Sequence, residues 1–235
     1  MYKKFMIFRC LTSFHEIAAL FDKNQMSSVE YISITDIETK ESKLYDSLLI
    51  KYRKLQDKSG IEYINNYPEK QYKHISEGEV VDEEIELLYF REYKIILFIS
   101  NVLNINLLRK IIPIYDYKKI NEAMLPIDIP NEYFKQLLKE NNLSFKEITY
   151  FQDARLENIN ASKMEITFKL RDGFLKNIND LGIDLYEAQI TEVKFEYYSV
   201  LIKLNSKGRV LLNKWVDEYA LKKIVDYLAE GLEEI

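Results

Sequence analysis

From Lys163 to Arg171 apolar and polar residues alternate without a break. Met164, Ile166, Phe168 and Leu170 form one set, and Lys163, Glu165, Thr167, Lys169 and Arg171 the other. A period of two sends the sets to opposite faces, so the segment reads as an antiparallel strand buried on its apolar side. Glu187–Tyr198, Val200–Leu204 and Arg209–Trp215 continue the pattern. Asn205-Ser206-Lys207-Gly208 predicts a hairpin turn between the last two, with Gly208 where positive φ is needed. The period then changes. Val216, Ala220, Ile224, Tyr227, Leu228 and Leu232 recur at helical spacing and predict a closing amphipathic helix. Tyr219 and Leu221 lie off that stripe and either widen it or mark a subunit contact. Asn131 to Asn141 predicts another helix, with Tyr133, Phe134, Leu137 and Leu138 on one side.

The N-terminal half is less regular. Lys4–Cys10 reads as a strand. Ser13 and Glu16 have capping-box spacing, ahead of a helical face of Phe14, Ile17, Ala18 and Phe21. Val29–Ile34 is β-branched and aromatic, as in a strand. Leu44, Leu48, Tyr52 and Leu55 recur within Glu41–Asp57 at helical spacing, and Gly60 follows as a stop, so a helix is expected there. Leu87–Phe90 and Ile95–Ile99 flank four polar residues and predict a hairpin, at least one of whose strands is buried on both faces. Asn104–Ile112 reads as a short helix stopped by Pro113. Three of the four prolines fall between Pro113 and Pro130, a stretch of little periodicity. The expected organisation is an N-terminal α+β part (1–112), a connector (113–130) and a C-terminal antiparallel meander packed on helices (131–235). Helices and strands are grouped rather than alternated, so the fold class expected is α+β. Without βαβ units there is no strand-order switch point at which a nucleotide crevice would form.

Composition removes several kinds of chemistry. The 235 residues include two histidines, one cysteine and six glycines. A Gly-rich phosphate loop, a paired-cysteine knuckle or a two-histidine zinc helix cannot be assembled from them, and no cofactor is expected. The net charge of -5 argues against a wholesale grip on nucleic acid. Eighteen tyrosines read as the coding bias of an AT-rich sequence rather than as a stacking surface. The apolar run after Lys3 and Lys4 is broken at Arg9, and reads as a first strand rather than a secretory leader. With no apolar stretch long enough for a membrane span and a single cysteine, a cytoplasmic location is expected.

The remaining candidates were weighed residue by residue. Cys10 ends an apolar strand and is expected to pack as a small hydrophobe. His15 has no second ligand at metal-site spacing. His74 precedes an acidic run of Glu77, Glu79, Asp82, Glu83, Glu84 and Glu86, which reads as a solvated loop or helix start, or else a dock for a basic partner. Glu192-Val193-Lys194 with Asp172 or Asp184 upstream fits a metal nuclease that binds Mg²⁺ through carboxylates, but this short motif recurs by chance in so charged a chain. The best binding surface expected is the outer face of the C-terminal sheet. Lys163, Lys169, Arg171, Lys194 and Lys203 share it with Glu165, Glu192 and Glu196, five positive charges less three negative, an excess of two. Cross-strand pairs such as Glu165–Lys194 would neutralise part of it. Only Tyr198 adds an exposed aromatic of the kind a nucleic-acid platform uses. The function expected is a non-enzymatic cytoplasmic interaction protein, a subunit of a homo- or hetero-oligomer. A nucleic-acid accessory protein using the basic face is the alternative, and a Mg-dependent nuclease the less favoured one.

Overall fold

The computed structural model describes residues 2–21, 32–66, 69–100, 108, 111, 117–140, 143–152, 164–169 and 188–233. Eleven strands form one sheet: β1 (Tyr2–Cys10), β2 (Ile32–Glu41), β3 (Asp46–Asn66), β4 (Glu69–Phe90), β5 (Ile95–Ser100), β6 (Met124–Pro126), β7 (Ser144–Gln152), β8 (Met164–Lys169), β9 (Gln189–Tyr197), β10 (Val200–Asn205) and β11 (Arg209–Val216). The helices are α1 (Phe14–Ala18), α2 (Tyr117–Ala123), α3 (Asn131–Leu137) and α4 (Glu218–Glu233). The strand order is β2-β3-β4-β5-β1-β11-β10-β9-β7-β8, with β6 on β1. Each strand pairing is antiparallel.

The expected α+β class is therefore corrected: the chain is mostly antiparallel β-structure, closer to all-β. The main error is the helix expected over Glu41–Asp57, which is the end of β2, a turn and the first half of β3. Leu44, Leu48 and Tyr52 are four apart, and four is both one helical turn and two steps of a strand. Ile50 decides between them. On a helix it would lie almost opposite Leu48 and Tyr52, yet all three are fully buried, as only a period of two allows. The acidic run is likewise not a loop or helix start. It belongs to β4, where Asp82 and Glu83 lie opposite Arg53 and Tyr52 of β3. Arg53 Nε donates to Asp82 at 2.8 Å, and the Tyr52 hydroxyl donates to Glu83.

β1 is the central strand, between β5 and β11, and is buried on both sides. Phe5 and Ile7 enter one core cluster with Phe134 and Leu137 of α3 and Leu221, Ile224 and Leu228 of α4. Met6, Phe8 and Cys10 enter the other with Phe14 and Ile17 of α1 and Ile120 of α2. The capping box at Ser13 forms as expected. The β4–β5 hairpin forms too, with β5 buried along most of its length. Of the helix expected over 104–112, only Leu108 and Ile111 are described, both fully buried. On β8, Ile166 and Phe168 are only half-buried, because β8 is an edge strand. Glu165 and Lys169 are exposed as expected, while Lys163, Leu170 and Arg171 lie outside the described residues.

Candidate interaction surface

The helices α3 and α4 pack on one face of the C-terminal strands; among the described residues no helix packs on their other face. A row crosses that face in register: Lys169 of β8, Glu147 of β7, Lys194 of β9, Lys203 of β10, Leu211 of β11 and Lys4 of β1. Directly opposite residues share a face, so charge along the row is a property of strand pairing. Glu147 Oε1 is 3.8 Å from Lys169 Nζ and 4.0 Å from Lys203 Nζ. Lys203 Nζ is 2.7 Å from Glu192 Oε1. Beside them the Thr149 and Thr167 hydroxyls are 3.0 Å apart.

The sequence-derived residues are thus partly brought together. Lys169, Lys194 and Lys203 share one row, whereas Lys163, Arg171, Asp172 and Asp184 lie outside the described residues. Glu165 lies opposite Phe151, and β7 separates its strand from that of Lys194, so the expected Glu165–Lys194 pair does not form. Glu147 takes that position, and the spacing of polar residues did not reveal it. The register of β7 shifts between Phe145 and Glu147, so Lys146 is an extra residue that breaks the alternation. On β7 to β10 the described charges are Lys169, Lys194 and Lys203 against Glu147, Glu165, Glu192 and Glu196, three positive and four negative, and Lys4 of β1 in the same row makes them equal. Glu192, one of the two described members of the nuclease motif, is engaged by Lys203. Among the described residues no group of three or more His, Cys, Asp or Glu could hold a metal ion.

Strand β11 carries two exposed apolar groups. Leu211 is 43% exposed and Trp215, the only tryptophan, 61%. An irregularity in strand pairing displays Trp215. Lys4 pairs with Leu211 and Tyr2 with Val216, so two steps of β1 span five of β11, and β11 arches outward. Trp215 also borders a cleft of about 660 Å³ lined by Tyr2, Lys4, Glu84, Glu86 and Ser100 among others. Burial pushes the Glu86 carboxyl above its ordinary value, and the Glu84 and Glu218 carboxylates add to the effect. At the same end of the sheet, Tyr198 and Ser199 form the β9–β10 turn with φ of 47° and 59°. Two positive φ values match the two-residue turn that suits strand twist, but no glycine fills it. Tyr198 and Tyr219 are both strongly exposed and border a smaller cleft with Lys223, whose Nζ is 5.3 Å from the Tyr198 ring centroid.

The cysteine and histidine candidates are elsewhere. Cys10 is buried, its Sγ donates to the Thr12 carbonyl at 3.1 Å, and burial pushes its thiol pKa up. That is the opposite of what a nucleophilic thiolate needs. His15 Nε2 is exposed on α1, 3.7 Å from Glu41. Among the described residues no helix is long and apolar enough to cross a membrane. No protein-family model matches the chain, and no curated protein matches it in sequence.

Proposed function

We propose that this protein works by association, as a non-enzymatic cytoplasmic subunit that binds a protein partner on the open face of its C-terminal sheet. One observation carries the reading: Trp215 and Leu211 stand exposed on β11, the strand beside a row of paired charges. Tryptophan is enriched where protein interfaces are strongest, and charges that neutralise one another around it suit a rim that excludes water. The lone buried cysteine fits a reducing compartment. The nucleic-acid alternative rests on Lys169, Lys194 and Lys203. Glu147 and Glu192 weaken it, because phosphates would have to displace carboxylates already in place.

Trp215 reports on the test directly, being the only tryptophan. The tagged chain is isolated from its host, co-purifying proteins are identified, and the complex is rebuilt from pure components. Binding should shift Trp215 emission to the blue and protect it from acrylamide, and Leu211→Asp should abolish the complex while leaving the fold intact. A complex that forms with Trp215 still fully quenchable, or that survives Leu211→Asp, would remove the open face from the proposal. Salt-sensitive binding to DNA or RNA without a protein partner would favour the alternative.

A further inference from the structure

The longest strands of the sheet, β3 and β4, extend well past their neighbours. They stay in register from Asp46–Tyr89 to Asn66–Glu69. β2 accompanies β3 only as far as Lys54, and β5 accompanies β4 only from Ile85. Beyond Leu55 and Val80, among the described residues, the two strands pair only with each other. At ~3.3 Å per residue, this ribbon reaches roughly 40 Å beyond the last three-stranded part. A two-stranded ribbon is marginal in water by itself, and its outer edges carry backbone groups that no described strand pairs and that can accept another strand.

The sequence of β4 says which strand. Lys70, Lys73 and His74 precede Ser76, and Glu77, Glu79, Asp82, Glu83 and Glu84 follow it. The first part is basic apart from Glu69 and the second is wholly acidic. An antiparallel copy of the same strand, centred on Ser76, sets Lys73 against Glu79 and Lys70 against Asp82. Two-fold symmetry repeats both pairs. A parallel copy would set acid against acid. The matching stretch of β3 has Arg53, Lys54, Asp57, Lys58 and Glu62, with base and acid interleaved at its centre.

We infer that the outer edge of β4 between Lys70 and Asp82 pairs antiparallel with the same edge of a second copy of the chain, forming a two-fold dimer through a four-stranded ribbon. This edge is separate from the open face around Trp215, and dimerisation does not depend on a partner binding there. The acidic run, which reads in the sequence as a solvated loop or helix start or else as a dock for a basic partner, then has its basic partner in the first half of the same strand of the second copy.

Light scattering and sedimentation of the full chain at low salt, up to ~100 µM, test this. The dimer should have twice the chain mass of 28.1 kDa. Lys70→Glu with Lys73→Glu should weaken dimerisation at least about 10-fold, since four cross-strand pairs become like-charged. Glu79→Lys with Asp82→Lys should do the same. Mixed in equal amounts, the two double variants should form a heterodimer, because each of the four engineered pairings then sets an acid against a lysine. A chain that stays monomeric, a dimer indifferent to either double reversal, or a mixture that fails to pair would each overturn the inference. Circular dichroism on each variant establishes that the fold is kept.

Discussion

Truncating Phe195 and Phe168 separately tests how the C-terminal layers are assembled. Phe195 is fully buried on β9, with ring centroids 6.2 Å from both Phe145 and Tyr227 of α4. Phe195→Ala therefore leaves a closed cavity between sheet and helix, and should cost about 3–5 kcal/mol. Phe168 stacks on Tyr150 at 6.1 Å but sits half-exposed on the edge strand β8. Its truncation removes about half as much buried area and leaves a notch open to water, so the expected cost is about 1–2 kcal/mol. For a chain of this length each kcal/mol moves the melting temperature by about 2–4 °C. Phe195→Ala should then lower it by roughly 6–20 °C, and Phe168→Ala by roughly 2–8 °C. Urea unfolding followed by far-ultraviolet circular dichroism is the better assay, since Trp215 is already exposed when folded and its emission changes little. Equal costs at the two positions would refute the placement of β8 at the edge. A cost under about 1 kcal/mol for Phe195→Ala would refute the packing of α4 on β9.

Two further outcomes are expected. Ser199→Gly should stabilise the chain by about 0.5–1 kcal/mol, because glycine takes the positive φ of the β9–β10 turn without the strain an L side chain incurs; a lower urea midpoint would contradict the turn geometry. Glu86→Gln should raise the melting temperature at neutral pH. The folded carboxyl titrates above its ordinary value of 4.5, so its contribution to stability is full below that value and is lost as pH rises through the raised one. The gain over wild type should vanish near ~pH 4, and a gain independent of pH would point to packing instead.

How far the sequence revealed the fold can be traced to particular residues. Where buried residues are two apart over most of a strand, as in β10 and the first half of β11, the strands were legible and so was the turn at Gly208. Where the spacing is four, two periods fit the same residues, and β3 was read as a helix although Ile50 lay between Leu48 and Tyr52. Pairing partners were not legible at all. That β1 joins the two halves by pairing with β5 and β11 depends on contacts about 90 and 210 residues away, for which local patterns carry no signal.

The binding surface was harder to read than the fold, for a connected reason. Its basic character depended on a charge count, and a count over a sheet face is only as good as the list of strands that make it. The bulge at Lys146 hid β7, and with it Glu147, which stands between Lys169 and Lys194 in register and takes the place expected for Glu165. One unseen strand thus turned an apparent excess of lysine into a matched face. What then distinguishes the surface is not its charge but Trp215, which sits where β11 takes five steps to two of β1. A bulge bends the strand that carries it and re-aims its side chains. The irregularity that hid Glu147 from the sequence pattern and the one beside Trp215 are the same kind of event, a shift of register within an antiparallel pair, which local alternation cannot reveal.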